Sequence, residues 1–155
     1  SGKGAAVTVL LADFAKGLGA VLLSRGISED PVLHAMVGTA VIAGHIWPVL
    51  AGFKGGRGIA TGLGTVSALG PLGPLVGLAI FIPLVAATRY VSLGSVVSVA
   101  AVIVLYGVRA SFFDLHIAYF IFTLGAGGLI LVMHRDNIKR LLAGTERRMG
   151  KGPVD

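Results

Sequence analysis

The chain of 155 residues contains no cysteine, and only 13% of its residues are charged. The missing cysteines exclude a small scaffold held together by disulfides. Soluble domains carry about 25% charged residues, so this chain has too few charges to cover a soluble globule of its size. Hydrophobic residues make up 55% of the sequence, and its mean hydropathy is +0.90. These values exclude an ordinary soluble domain and a disordered chain, and they indicate an integral membrane protein.

Several motifs of known chemistry are absent as well. The phosphate-binding pattern G-x-x-x-x-G-K-[ST] does not occur, and neither does the G-x-S-x-G elbow of a nucleophilic serine. No histidine is followed by an aspartate five positions later, which excludes the membrane acyltransferases that use a His-x-x-x-x-Asp dyad. No set of histidines and carboxylates has the spacing of metal ligands. We therefore expect neither a metal nor another cofactor.

Apolar runs dominate the sequence, and about 20 helical residues are enough to span a bilayer. Backbone polar groups in lipid must be satisfied internally, and no segment alternates with the period of a membrane strand. The predicted fold class is therefore all-α, a polytopic helical bundle. No repeat or linker divides it, so we treat residues 1–155 as one membrane-embedded domain. The six predicted helices are Ala5–Ser24, Pro31–Gly52, Ile59–Leu69, Leu72–Thr88, Leu93–Val108 and Leu115–His134.

The basic residues predict how the helices are oriented. Lysine and arginine number 13 against 7 acidic residues. When the six helices alternate and the C-terminal tail is cytoplasmic, ten basic residues lie inside, and only Arg25 and Arg109 lie outside. This distribution satisfies the positive-inside rule. The cations interrupt apolar runs and do not form a stripe with aromatic residues, so no nucleic-acid partner is expected.

The segment from Gly44 to Thr61 is the most informative part of the inner face. It contains His45, Lys54 and Arg57, together with three closely spaced glycines. Glycines let a backbone approach a ligand, and the helix that begins just afterwards offers free N–H groups to an anion. The segment is therefore a candidate phosphate site, with His45 as either a packing residue or a functional one. The alternative is a flexible loop whose cations only orient the chain.

Two further inner-face segments carry polar groups that suit an anion. In the turn at 88–95, capping of the next helix would by itself explain a serine. At 134–140, the alternative is a basic helix end that faces lipid headgroups. The residues concerned are Arg89, Ser92 and Ser95 in the first segment, and His134, Arg135, Asn137 and Arg140 in the second.

Asp13 and Lys16 lie inside the first predicted span. Charges at that depth are expensive and are usually paired or functional. Their spacing of three allows an ion pair on one helix face, which we favour. The alternative is that Lys16 snorkels to the interface or contacts a substrate. His34 and His116 lie toward the outer side, and we interpret both as structural.

Taken together, these segments resemble the bacterial acyl-phosphate:glycerol-3-phosphate acyltransferases, the PlsY family. The matching pieces are 11–17, 44–61, 88–95 and 134–146, and they follow in the order the family has. The resemblance implies a seven-helix inner-membrane fold with its active site at the cytoplasmic face. This chain is similar to the last six helices and lacks the first helix and the first motif, so the resemblance implies an N-terminally truncated domain.

The resemblance also implies an activity. A fatty acyl group would pass from acyl phosphate to the 1-hydroxyl of glycerol 3-phosphate, giving lysophosphatidic acid and inorganic phosphate in the first step of phospholipid synthesis. The implied partners are these two substrates and membrane lipid. The implied catalytic residues are His45, Lys54, Ser92 and Asn137. The implied substrate-binding residues are Gly55, Gly56, Arg57, Gly58, Thr61, Arg89, Ser95, His134, Arg135 and Arg140.

Within this resemblance the residues take different roles. Lys54 and the glycine turn would hold a phosphate, and the two serines would donate hydrogen bonds near the acyl phosphate. His134 and Asn137 would orient glycerol 3-phosphate. His45 would be a base or would organise hydrogen bonds, although the family is thought to let substrate phosphate accept the hydroxyl proton. Arg57 stands where the family often has lysine, which changes the geometry but not the charge.

Two other functions remain open on the sequence. A small transporter or channel for organic phosphates would need polar residues along a path through the bilayer. Only Asp13, Lys16 and scattered hydroxyl residues lie in the middle of the spans. A membrane scaffold without chemistry is the third possibility.

Overall fold

The computed structural model describes residues 2–49, 52–53 and 55–150, and within these ranges it contains helices and no strand. The all-α fold predicted from hydropathy is thereby confirmed. The helices are α1 (Lys3–Ile27), α2 (Pro31–Ile46), α3 (Ile59–Leu69), α4 (Leu72–Thr88), α5 (Val91–Phe112), α6 (Ile117–Met133) and α7 (Arg135–Leu142).

The ends of α2 follow from local chemistry. Asp30 Oδ1 accepts a hydrogen bond of 2.9 Å from the backbone N–H of Val32, and Pro31 suits the first helical position. The helix ends at Ile46. The predicted end at Gly52 was wrong, because Pro48 disfavours a helical conformation at the residue before it and supplies no N–H. Because α2 ends at Ile46, residues 55–58 can form a turn before α3, which we call the glycine loop.

Helix α7 was not among the six predicted helices, the last of which ends at His134. It follows α6 directly, with a bend of 57° between the two helices. Its sequence is too polar to continue into lipid, whereas its spacing places apolar and polar side chains on different faces. The bend turns the polar residues of α7 back over the end of the bundle.

The helices present the apolar surface of a membrane protein. By length and composition, α1 and α5 can each cross a bilayer, and α6 with α7 adds a third span if the bent pair is counted as one. Helices α2, α3 and α4 are apolar but shorter. Large apolar side chains such as Leu23, Val104 and Ile121 are exposed on the outside, as expected of surfaces that face lipid.

Glycines bring α1 and α3 into close contact. A Cβ atom on Gly17 would lie 2.2 Å from the Thr61 carbonyl oxygen, and one on Gly64 would lie 2.1 Å from that of Phe14. Small residues allow such an approach between membrane helices. The start of α3 is therefore fixed against the part of α1 that carries Asp13 and Lys16.

Near the opposite end of α3, polar side chains make hydrogen bonds to other groups of the protein. The Arg25 guanidinium donates to the Ala68 carbonyl oxygen. The ring nitrogens of His34 lie 2.9 Å from the Tyr119 hydroxyl and 2.8 Å from the Ser28 carbonyl oxygen. His116 accepts a hydrogen bond from the backbone N–H of Ala118 at the start of α6. Both histidines thus have the structural contacts expected of them.

Candidate active site

A polar cavity of about 630 Å³ lies where α3 and α5 begin and where α6 meets α7. It brings together residues from three parts of the sequence that the motifs had singled out, 44–61, 88–95 and 134–146. The chain segment after α7 supplies the remaining wall. The lining residues are Arg57, Val91, Ser92, Ser95, His134, Asn137, Arg140, Glu146, Arg147, Arg148 and Met149.

The lining is strongly basic. Among the described residues, it contains four arginines and one carboxylate, that of Glu146. Guanidinium groups match phosphate oxygens in geometry and charge, and the first turns of α3 and α5 add backbone N–H groups nearby. The arrangement suits an anion that carries a phosphate.

Two buried polar atoms of the cavity have no partner in the described part of the chain. They are Oγ of Ser92 and Oδ1 of Asn137, and the two residues are 6% and 3% exposed. A buried polar group left without a hydrogen bond costs about 1–3 kcal/mol. Because both residues line the cavity, a bound ligand can satisfy both atoms.

Helix capping does not explain Ser92. The N-cap of α5 is Tyr90, which makes no side-chain capping bond, and Ser92 lies inside the first turn. Ser95 donates its hydroxyl to the Val91 carbonyl oxygen at 2.9 Å, as a helical serine often does. The capping interpretation of this segment was therefore wrong for Ser92, whose hydroxyl is left for the cavity.

Glu146 fixes the orientation of its neighbours. Its two carboxylate oxygens accept hydrogen bonds of 2.7 Å from Asn137 Nδ2 and from Arg140 Nε. A carboxylate only accepts, so the Asn137 amide must direct Nδ2 at Glu146 and Oδ1 elsewhere. Burial raises the pKa of Glu146, but the Asn137 amide, the Ser92 hydroxyl and the Arg140 guanidinium together outweigh it and lower the pKa below its usual value. The nearby Ser92 hydroxyl acts in the same direction without a hydrogen bond of normal geometry.

His134 sits at the bend between α6 and α7. Its Nδ1 atom lies 2.8 Å from the Ile130 carbonyl oxygen, which can only accept, so Nδ1 carries the proton. With the proton on Nδ1, the neutral ring keeps a free lone pair on Nε2 for a hydroxyl proton.

The segment after α7 packs on the turn between α4 and α5 and is hydrogen-bonded to it. The backbone N–H of Met149 donates to the Arg89 carbonyl oxygen at 2.7 Å, and Arg148 Nε donates to the Tyr90 hydroxyl at 3.0 Å. The Arg148 guanidinium also lies 5.1 Å from the centre of the Tyr90 ring. Arg89 adopts a left-handed conformation that ends α4, with φ of 62°. These contacts close one wall of the cavity.

The glycine loop packs on the end of α2. A Cβ atom on Gly55 would lie 2.0 Å from the His45 carbonyl oxygen, and one on Gly56 would lie 2.3 Å from His45 Nε2. Gly58 has a φ of 86°, which favours glycine, and it leads directly into α3. These glycines are thus required by close approach and backbone conformation. Among the loop residues that the structure describes, only Arg57 reaches the lining of the cavity.

The other predicted site residues lie in different surroundings. Lys54 lies outside the described residues. Thr61 is fully buried in the first turn of α3, and its hydroxyl has no partner within the described ranges. Arg135 is exposed, 4.0 Å from Asp136, and is not part of the lining. Arg89 contributes its backbone carbonyl to the wall, as described above.

Sequence reasoning missed Glu146 and Arg148. Glu146 is the last residue of the matching piece 134–146, but nothing in its local spacing indicated that it would bind Asn137 and Arg140. The contact between Tyr90 and Arg148 joins residues 58 positions apart, so no local pattern could indicate it.

An apolar groove adjoins the polar cavity. Its volume is about 490 Å³, and residues from helices α1 to α6 line it, among them Phe14, Phe81 and Ile103. Ser95 lines both the groove and the polar cavity, so the two spaces meet at this residue. An amphiphile with an anionic head and an apolar tail would fit this arrangement. Within the described residues, no group of three or more His, Cys, Asp or Glu is placed to hold a metal ion.

Comparison with known proteins gives concordant matches. Residues 1–144 match the family model described as glycerol-3-phosphate acyltransferase. The glycerol-3-phosphate acyltransferase of Halalkalibacterium halodurans is 41% identical over 152 residues, which covers 97% of this chain and 74% of that protein. The one from Geobacter sulfurreducens is 40% identical over 147 residues, or 95% and 74% of the two chains.

Solved structures give the same relationship. The crystal structure of PlsY, an integral membrane glycerol 3-phosphate acyltransferase, matches in its glycerol 3-phosphate form with a TM-score of 0.85 and 33% identity. The match covers 96% of this chain and 73% of that one. The lysophosphatidic acid form of PlsY matches with the same score. At this identity the integral membrane fold of the bundle is confirmed.

Proposed function

This chain belongs to the glycerol-3-phosphate acyltransferase family, and we propose that it transfers a fatty acyl group from acyl phosphate to the 1-hydroxyl of glycerol 3-phosphate. The products are lysophosphatidic acid and inorganic phosphate. The acyltransferase activity and the acceptor follow the names of the relatives and the ligand form in which PlsY was solved. The acyl-phosphate donor follows from the sequence resemblance and from the chemistry of the site.

The meeting of a basic cavity and an apolar groove at Ser95 carries this proposal. The acyl chain lies in the groove, and the phosphates of both substrates lie among the arginines. Arg57 and Arg140 neutralise phosphate charge, and Ser92 donates a hydrogen bond to a phosphate oxygen. Lys54, beyond the described residues, remains a predicted phosphate ligand from the same loop.

The reaction needs little covalent chemistry from the protein. The 1-hydroxyl oxygen attacks the acyl carbon, the bond between that carbon and the phosphate oxygen breaks, and inorganic phosphate leaves with the hydroxyl proton. Acyl phosphate is already activated, so the protein contributes orientation and charge stabilisation. Before attack, His134 Nε2 orients the 1-hydroxyl by accepting its hydrogen bond, and the proton passes to the phosphate as the acyl bond forms. Asn137 Oδ1 accepts a hydrogen bond from the second hydroxyl of glycerol 3-phosphate.

We also propose that the protein lies in the bacterial inner membrane with the cavity at the cytoplasmic face. The cavity end of the bundle carries the arginine cluster, whereas Arg25 lies at the other end, beside the last turn of α3. This distribution supports the cytoplasmic orientation by the positive-inside rule. Acyl phosphate can then reach the groove from lipid while glycerol 3-phosphate enters from water.

The donor is tested by measuring phosphate release in liposomes. The protein should release inorganic phosphate from acyl phosphate only when glycerol 3-phosphate is present, and it should form no product from acyl-CoA. Equal use of acyl-CoA would contradict the donor assignment. Exchange of labelled glycerol 3-phosphate across the membrane without product would instead favour the transporter.

A further inference from the structure

Three polar side chains form a cluster beside the glycine loop, outside the lining of the cavity. Lys16 Nζ lies 2.6 Å from Asp13 Oδ1 and 2.6 Å from His45 Nδ1. Asp13 Oδ1 lies 3.3 Å from the same nitrogen of His45. The expected ion pair on α1 is therefore present, and it also holds a histidine from α2.

The contacts determine which ring nitrogen of His45 carries the proton. A lysine ammonium has three donors and no acceptor. With its ammonium 2.6 Å from Nδ1, Lys16 donates to that nitrogen, which must present its lone pair. The proton of the neutral ring then lies on Nε2. The opposite charges of Lys16 and Asp13 also offset each other within the apolar helix α1.

The protonated nitrogen faces the glycine loop. A Cβ atom on Gly56 would lie only 2.3 Å from His45 Nε2, so the loop backbone packs directly on this edge of the ring. The backbone N–H of Gly56 donates to the His45 carbonyl oxygen at 3.3 Å. The next residue is Arg57, which reaches the cavity. The cluster thus supports the glycine loop, which places Arg57 in the cavity where it can bind phosphate.

We propose that Lys16 and Asp13 are positioning residues that hold His45 in its Nε2–H form, so that the protonated edge of the ring packs against Gly56 of the glycine loop and fixes the approach of Arg57 to phosphate. His45 then supports the binding of an anion and is not the base that removes the hydroxyl proton. The identity of that anion rests on the proposed function. The tautomer itself does not.

The tautomer is tested by nitrogen NMR of the protein labelled with ¹⁵N-histidine in nanodiscs, with His45 assigned through the His45→Gln variant. The wild type should show the Nε2–H form. Lys16→Met leaves Asp13 as the partner of Nδ1, and a carboxylate only accepts, so the proton should move to Nδ1. Lys16→Arg should retain the original form. A charged ring or an Nδ1–H ring in the wild type would overturn the proposal, as would an unchanged tautomer in Lys16→Met.

The consequence for binding is tested by steady-state kinetics. Lys16→Met should raise the KM for glycerol 3-phosphate about tenfold, the loss expected when the charge-assisted bond between Arg57 and phosphate is weakened, with kcat changed much less. Lys16→Arg should restore the KM. Lys139→Met, which removes an exposed lysine of α7, is the matched control and should behave as the wild type. A fall in kcat at unchanged KM would contradict the positioning role. If no acylation occurs at all, the proposed function fails, whereas the NMR result still decides the tautomer.

Discussion

At the scale of single residues, the buried hydroxyl of Ser92 is the clearest mark of a ligand. Ser92→Ala removes a buried hydroxyl that has no hydrogen bond of normal geometry but lies near the Glu146 carboxylate, so stability without substrate should change by no more than about 1 kcal/mol. The kcat/KM for acylation should nevertheless fall about 10- to 100-fold, because a hydrogen bond to phosphate is lost. Thermal unfolding and initial rates measure the two effects.

The matched control for Ser92→Ala is Ser67→Ala. Ser67 donates its hydroxyl to the Leu63 carbonyl oxygen at 2.7 Å within α3 and does not line the cavity. Its replacement should leave the rate unchanged. If the Ser92→Ala variant reacts at the wild-type rate, Ser92 does not bind the substrate.

Glu146 should make the stability of the protein depend on pH. Its folded-state pKa lies below the usual value, so its contribution to stability is present above the carboxyl's ordinary range and is lost as the pH falls through its folded-state pKa. Glu146→Gln should therefore lower the free energy of unfolding at neutral pH, by about 2 kcal/mol for charge-assisted bonds. The difference from the wild type should shrink in acid. Chemical unfolding in detergent from pH 7 downward tests this, and a difference that grows in acid would contradict it.

At the scale of helices, the contact between α1 and α3 positions the glycine loop. Gly17→Ala would place a methyl group 2.2 Å from the Thr61 carbonyl oxygen, which belongs to the backbone and cannot rotate away. We expect α3 to shift, with a loss of about 1–3 kcal/mol of stability and a clear drop in acylation rate. Thermal unfolding and the acylation assay measure both.

Gly19→Ala is the control on the same helix. No atom lies within 4 Å of a Cβ built on Gly19. This variant should unfold and react as the wild type does. If both glycine variants lose the same stability, close packing of α1 on α3 is not the cause.

The helices differ in how well the sequence predicted them. Hydropathy found the first six, including the short helix α3, because the polar segments around it were distinct. It placed the end of α2 too late, because apolar residues continue past Pro48. The residue before a proline disfavours a helical conformation, so the helix ends before Pro48. It missed α7 because amphipathic helices carry no long apolar run.

The site was predictable only in part, for a related reason. Arg57, Ser92 and Asn137 belong to local motifs, and the structure brings these three to one cavity. The partners that fix them are distant in sequence. Lys16 contacts a histidine 29 positions away, and the wall formed by the segment after α7 depends on Tyr90. Such contacts depend on how helices pack, which spacing within one helix does not reveal.

At the scale of the whole molecule, the chain's lack of cysteine makes its orientation easy to test. Arg109→Cys and Lys139→Cys place single thiols near the end of α5 and on α7. In intact cells, an impermeant maleimide should label the cysteine at position 109 and should label that at 139 only after permeabilisation. The reverse pattern would place the cavity on the outer face.

The central claim is that one site holds a phosphate head among the arginines and an acyl chain in the groove that meets it at Ser95. The most direct test is an experimental structure of the protein with a non-hydrolysable acyl phosphonate. We predict that the phosphonate lies within hydrogen-bonding distance of Ser92 Oγ, with its chain running between α1, α4 and α5. A phosphonate bound at the opposite end of the bundle, or a chain outside the groove, would contradict the account.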